Sequence, residues 1–172
     1  MVLSSSCRAQ QQAPEPQTDY RPTATIKEIM DSMVDPNADY VWESVSTVLT
    51  EKEVIEKVPK TDKEWAELRR HAVTLLEATN LLVMPGRKVA PSGAKSENPN
   101  IELEPEKMEA LINQDWKTFV ELAHGLHDTM IPVIRAIDKK DPQEIENLGD
   151  SIDRACENCH LKYWYPNEIR PQ

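Results

Sequence analysis

After residue 22, apolar side chains return every three or four positions over most of the chain, and this period constrains the fold more than any other feature. Ile26, Ile29, Met30 and Met33 open the pattern, and Val41, Trp42, Val45 and Val48 resume it after Asp35-Pro36. The expectation is one helix over 23–50 with a kink or short break near Pro36, Asp35 acting as a cap and Pro36 taking a first helical position. Thr61-Asp-Lys-Glu64 is a capping box. Trp65, Leu68, Ala72, Leu75, Leu76 and Leu82 then mark one face of a second helix, which Pro85-Gly86 stops. A long polar loop follows over 85–104. Pro105–Ile112 reads as a short helix, with Gln114-Asp115 as a place for the register to reset. Phe119, Leu122, Leu126, Met130, Val133, Ile134 and Ile137 mark the next face, which Pro132 is expected to bend or locally interrupt. Asp141-Pro142 starts the last helix, whose apolar face runs through Ile145, Leu148, Ile152, Ala155, Cys159 and Tyr163 until Pro166 ends it.

Composition agrees with helices. Glycines number only four and phenylalanine one, whereas prolines number thirteen. No strand pattern, internal repeat or Gly-rich phosphate loop is read. The expected fold class is all-α: an antiparallel four-helix bundle over 23–166, with the 85–104 loop inside it. Residues 1–22 read as a disordered tether and 167–172 as a tail. A formal net charge of -10 argues against binding nucleic acid or an anionic membrane through bulk charge. It serves solubility, or a basic protein partner. Apolar faces on bundles often pair, so a homodimer stays open.

The three cysteines divide into a pair and a single residue. Cys156-Glu-Asn-Cys159 is followed at once by His160, and C-x-x-C-H is the attachment pattern of a c-type haem. Two thiols three positions apart reach the two vinyl groups of one porphyrin, and the adjacent imidazole binds the iron. A redox-active C-x-x-C would place its first Cys at a helix N-terminus, whereas this pair ends a long helix. Zinc would need four suitably spaced ligands, and no second Cys pair exists. A non-haem bundle with a Cys156–Cys159 disulfide is the remaining alternative. His124 and His127, spaced i, i+3, are a weaker metal pair, and an ordinary half-buried pair is the plainer reading.

A helical bundle with Cys156-Glu-Asn-Cys159-His160 near the end of its last helix resembles the cytochrome c′ family and its low-spin, methionine-ligated relatives. The likeness covers roughly 24–166 and rests also on Met30 and Met33 in the first helix. It departs at the aromatic run Leu161-Lys-Tyr-Trp-Tyr-Pro166, at Asp35-Pro36, and at the 85–104 loop. The resemblance implies one covalent haem c and electron transfer with redox partner proteins, not enzyme catalysis. It also implies a distal position in the middle of the first helix, where Met30 matches best. Helix geometry points the same way: His160 lies about 6 Å before the expected end of the last helix and Met30 about 10 Å past the start of the first, near levels in an up-down bundle. Met30 is therefore the expected sixth ligand, with Met33 as its alternative and plain core packing as the bland reading of both. An open sixth position would instead make a module that binds NO or CO. Arg69, Arg70 and Arg87 are candidates to pair with haem propionates. Tyr163 and Trp164 are expected at the haem edge.

Cys7 follows Met1-Val-Leu-Ser-Ser-Ser, which looks like the last stretch of a bacterial lipoprotein signal, although Leu3 stands four residues before the cysteine rather than three. Lipid attachment at Cys7 and a free thiol in a ragged terminus are both open. In the lipid reading the apolar core of the signal is missing from the start of the chain. The protein would then be periplasmic and tethered to a membrane only through that lipid.

Overall fold

The computed structural model describes residues 20–49 and 52–168, and Cys7, most of the 1–22 segment and 169–172 lie outside them. The described chain is mostly helical. Helix α1 (Ile26–Ile29) starts where Thr25 turns extended: its hydroxyl accepts the Glu28 N–H at 3.2 Å, and the Glu28 carboxylate accepts the Thr25 N–H at 2.8 Å. This exchange satisfies N–H groups that a helix start otherwise leaves without an intrahelical partner.

The chain does not restart at Asp35-Pro36. It runs through a π turn at Met30–Val34 into α2 (Asp35–Ser44). Asp35 is itself helical and its N–H reaches back to the Met30 carbonyl, so it caps nothing. Pro36 has no N–H and its ring crowds the carbonyl one α-turn earlier. A wider turn ahead of it relieves that crowding. The Asn37 side chain donates to the Met33 carbonyl at 2.6 Å and holds the widened turn.

The expected helix over 23–50 also ends early, at Ser44. Val45 is extended, and strands β1 (Ser46–Leu49) and β2 (Val54–Lys57) pair antiparallel, with Ser46 opposite Lys57 and Leu49 opposite Val54. The expectation of no strands is thereby corrected. Val45 and Val48 fit a helical period, but the segment is rich in β-branched residues, and so short an apolar run suits either conformation.

The later helices start where the sequence places them. Helix α3 (Asp62–Leu82) opens on the Thr61/Glu64 capping box, and the six apolar residues expected on its inner face are all buried. Asp115 ends α4 (Pro105–Gln114) and caps α5 (Trp116–Lys139), accepting the Thr118 N–H. Pro132 sits inside α5 without ending it. Lys140 takes a left-handed φ of 54° to close α5, and Asp141 caps α6 (Pro142–Tyr163). The 85–104 loop is tied down at both ends. Ile26 and Lys27 donate to the Lys88 and Val89 carbonyls at 2.8 Å, and Leu103 donates to the Trp164 carbonyl at 2.7 Å.

Helix α3 packs on α5, α5 on α6, α2 on α3, and α2 also meets α6. Cross-helix pairs give the directions. Arg69–Asp138 at 2.7 Å and Asp62–Lys140 at 2.5 Å set α3 antiparallel to α5. Phe119 against Tyr163, at the start of α5 and the end of α6, does the same for that pair. Leu68, Leu75, Met130, Val133, Ile152 and Val41 are fully buried where these helices meet. Each such side chain contributes about 1.5–3 kcal/mol by leaving water.

Candidate functional site

Helix α6 carries Cys156, Cys159 and His160 within its last two turns. The i, i+3 spacing puts both thiols on the same side of the helix, and both pack against the core as half-buried free cysteines. Burial, then the Asp153 carboxylate and other nearby charges, push the Cys156 thiol up to about 12. Burial pushes Cys159 up to about 11. Both are therefore protonated at neutral pH. Thiol–disulfide exchange needs a thiolate, so this setting opposes a redox-active pair. Among the described residues no group of three or more His, Cys, Asp or Glu is arranged to hold a metal ion. His124 is exposed, and His127 is half-buried with Nδ1 3.2 Å from the Asp128 carboxylate.

His160 is half-buried at the end of α6, its ring edge-on to Trp164 at 5.1 Å and to Tyr165 at 5.6 Å. Its Nδ1 lies 3.2 Å from the Tyr165 hydroxyl, which donates to Glu157 Oε1 at 2.8 Å. The helix end is clamped by its neighbours. Lys162 donates to the Asp115 carboxylate at 2.7 Å, and the Tyr163 hydroxyl donates to the Asp115 carbonyl at 3.3 Å. Tyr163 is thus buried against α5, and the aromatic rings beside His160 are those of Trp164 and Tyr165.

The π turn lies across from this helix end. Trp42 donates to the Gly149 carbonyl at 3.4 Å, and the Asp35 charge is near enough to act on Cys156. Helices α2 and α6 therefore run antiparallel, and the same register carried one turn further puts Met30 and Met33 on either side of the level of His160. Both methionines are half-buried and pack against the core. The α1 and π-turn backbone packs on α3, and α2 beyond it packs on both α3 and α6.

A haem fits this donor set: two protonated, unpaired thiols at the required spacing, an adjacent imidazole, and thioether sulfurs at the opposing level. One cleft of about 520 Å³ lies between Lys88–Gly93 and the start of α4, and another of about 90 Å³ lies between Trp42 and Gly149. Neither is lined by Cys156, Cys159, His160, Met30 or Met33.

Of the three arginines, Arg87 alone lies at this end. It donates to the Leu81 carbonyl at 2.7 Å, to the Ala24 carbonyl and to the Met84 sulfur at 3.1 Å, tying the end of α3 to the start of α1. Arg69 pairs with Asp138 towards the other end of α3, and Arg70 pairs with Glu67 beside it. Sequence reasoning passed over Tyr165 and Glu157. Glu157 stands three residues before His160, a helical-neighbour signal that was readable; the fold-back of Tyr165 after the helix was not.

No protein-family model, curated protein or solved structure matches the chain.

Proposed function

We propose that the chain is an antiparallel four-helix-bundle cytochrome holding one covalent haem c, exported to the periplasm and acting in electron transfer. The α1–π turn–α2 run, α3, α5 and α6 would be the four members. The observation that carries the reading is the C-x-x-C-H motif on α6, with its two protonated thiols on the core side and Met30 and Met33 at the facing level. Cys156 and Cys159 would hold the porphyrin covalently, each as a thioether formed by adding its S–H across a vinyl group. His160 and Met30 would hold the iron, Met33 being the alternative to Met30. The haem supplies the one-electron couple. A soft sulfur opposite histidine raises its potential, and a fixed ligand pair limits rearrangement between oxidation states.

The negative charge suits a basic redox partner protein, and nothing in the chain suggests nucleic acid. Cys7 would carry the lipid in a membrane-tethered form. No catalytic step is assigned.

The test is production of the full chain together with haem-attachment machinery. Denaturing mass spectrometry should show a single haem-sized increment that Cys156→Ala/Cys159→Ala abolishes. Reduced wild type should be low-spin and resist CO. Met30→Ala should turn high-spin and take up CO readily. A wild type that is already high-spin when reduced would favour the gas-binding alternative, and a Met33→Ala that alone loses the low-spin spectrum would move the ligand to Met33. A protein without the mass increment is no cytochrome.

A further inference from the structure

We propose that His71 of α3 is a positioning residue for the π turn: its Nδ1–H holds the Asn37 carboxamide, whose other end holds the Met33 carbonyl. The inference rests on the cytochrome reading above for the role of Met30 or Met33 as an axial ligand. It goes beyond that reading by assigning the group that fixes the backbone both methionines project from.

Donors and acceptors give the assignment. Asn37 Nδ2 lies 2.6 Å from the Met33 carbonyl oxygen, and a carbonyl only accepts, so the nitrogen end of the carboxamide is the one that faces Met33. The Asn37 oxygen is then the end that faces His71, 2.7 Å from Nδ1. That oxygen only accepts, so Nδ1 carries a hydrogen, in the neutral and in the charged ring alike. One carboxamide thus joins α3 to the π turn. Asn37 keeps only 9% of its surface exposed, so water competes weakly for either bond. Tyr40 fixes the plane of the imidazole, its ring stacked on His71 with centroids 3.7 Å apart and planes 13° apart.

The turn needs such a hold. Pro36 brings no N–H to the helix, and the Asp35 N–H reaches back to the Met30 carbonyl, one residue further than an α-turn reaches. A π turn is rare and recurs at functional sites. It amounts to one extra residue in the helix. Its loss would rotate α1 and Met30 by about 100° around the axis relative to α2. Met30 and Met33 both pack against the core in the π form, and η-to-α relaxation would change the face that carries sulfur. The α1 and π-turn backbone packs on α3, so a side chain of α3 is well placed to hold that register.

The experiment compares wild type with His71→Phe, His71→Asn and Asn37→Ala, each produced with haem attached and again in the haem-free Cys156→Ala/Cys159→Ala background. His71→Phe keeps a ring to stack on Tyr40 and removes the donor, whereas His71→Asn restores an N–H near the place of Nδ1. The haem-free chains are read by amide hydrogen exchange at Asp35 and in the core of α5. The haem-loaded chains are read by their reduced spectra and CO uptake. His71→Phe and Asn37→Ala should speed Asp35 exchange about tenfold more than exchange in α5, as loss of one buried hydrogen bond implies. They should also turn part of the reduced haem high-spin and speed CO uptake, with haem content unchanged. His71→Asn should recover most of both effects, and Asn37→Ala carries the test if His71→Phe does not fold. Wild-type exchange at Asp35, equal acceleration in α5, or faster Asp35 exchange with wild-type CO uptake would each overturn the assignment while leaving the cytochrome reading intact. A wild type that takes no haem, or is already high-spin when reduced, would overturn the haem or the ligand reading, and Asp35 exchange would then decide alone whether His71 holds the turn.

Discussion

Leu75 and Val133 show no exposed surface, and Leu68, Met130 and Ile152 share their interior. Interiors of this kind are close-packed, so removing part of one side chain leaves a void that neighbours only partly fill. Leu75→Ala should therefore cost about 2–5 kcal/mol, read as a lowered urea midpoint with an unchanged slope. Val54 and Ile55 give the opposite case. They are 58% and 46% exposed on β2, so replacing either with Thr should change stability by under about 0.5 kcal/mol in the same titration. Hydrophobicity in the sequence does not separate these residues, whereas their surroundings do. Met30 and Met33 belong to the same lesson: a helical period marked them as inward-facing, and within the π turn both pack half-buried against the core.

Each helix start can be traced to a few polar atoms. Thr61 and Glu64 exchange hydrogen bonds at the head of α3, and the Lys60 and Thr61 N–H groups hold the Glu64 carboxyl below its ordinary range. The Thr25 N–H does the same for Glu28 at α1. Loss of the hydroxyl in Thr61→Ala should cost about 1 kcal/mol in thermal or urea unfolding. The pH dependence has a definite sign. A carboxyl whose folded value is depressed adds stability above its unfolded value, and that stability drains away as pH falls through the folded one. The urea midpoint should thus hold steady down to about pH 5 and decline below about pH 4, where unfolded Glu and Asp take up protons. Glu64→Gln should have a lower midpoint at neutral pH and a shallower decline in acid. Where the sequence reading failed at this scale, competing local rules explain it. Asp-Pro usually starts a helix, yet here the tertiary contact of the π turn with α3 keeps the chain helical through it. Val45 to Leu49 suited either period, and pairing with Val54 to Lys57 decided for a strand.

At the scale of the molecule, the end of α6 is where separate parts of the chain converge. The 85–104 loop, the α4–α5 junction and the α6 terminus meet there through Leu103–Trp164, Asp115–Lys162 and Phe119–Tyr163. The α1 and π-turn backbone packs on α3, and α2 links the first helical run to α6. A covalent porphyrin placed there would join them. Haem-loaded protein should consequently melt several degrees above haem-free Cys156→Ala/Cys159→Ala, as followed by far-ultraviolet circular dichroism. Equal melting temperatures would mean that the haem sits outside the packed interior.

By itself the sequence determined the helical class, the heads of α3, α5 and α6, most of the buried faces, and the C-x-x-C-H motif. Those features are local: a cap needs residues within one turn, a face needs a period, and C-x-x-C-H needs five consecutive residues. Tertiary structure alone decided the rest. The hairpin at 46–57, the π turn ahead of Pro36, the burial of Tyr163 against α5, and the Glu157–Tyr165–His160 contacts all depend on contacts between elements or on how the backbone folds back after a helix ends. A one-residue period carries no record of such contacts, because the free energy that selects among them comes from partners distant in the chain or from a reversal of its direction.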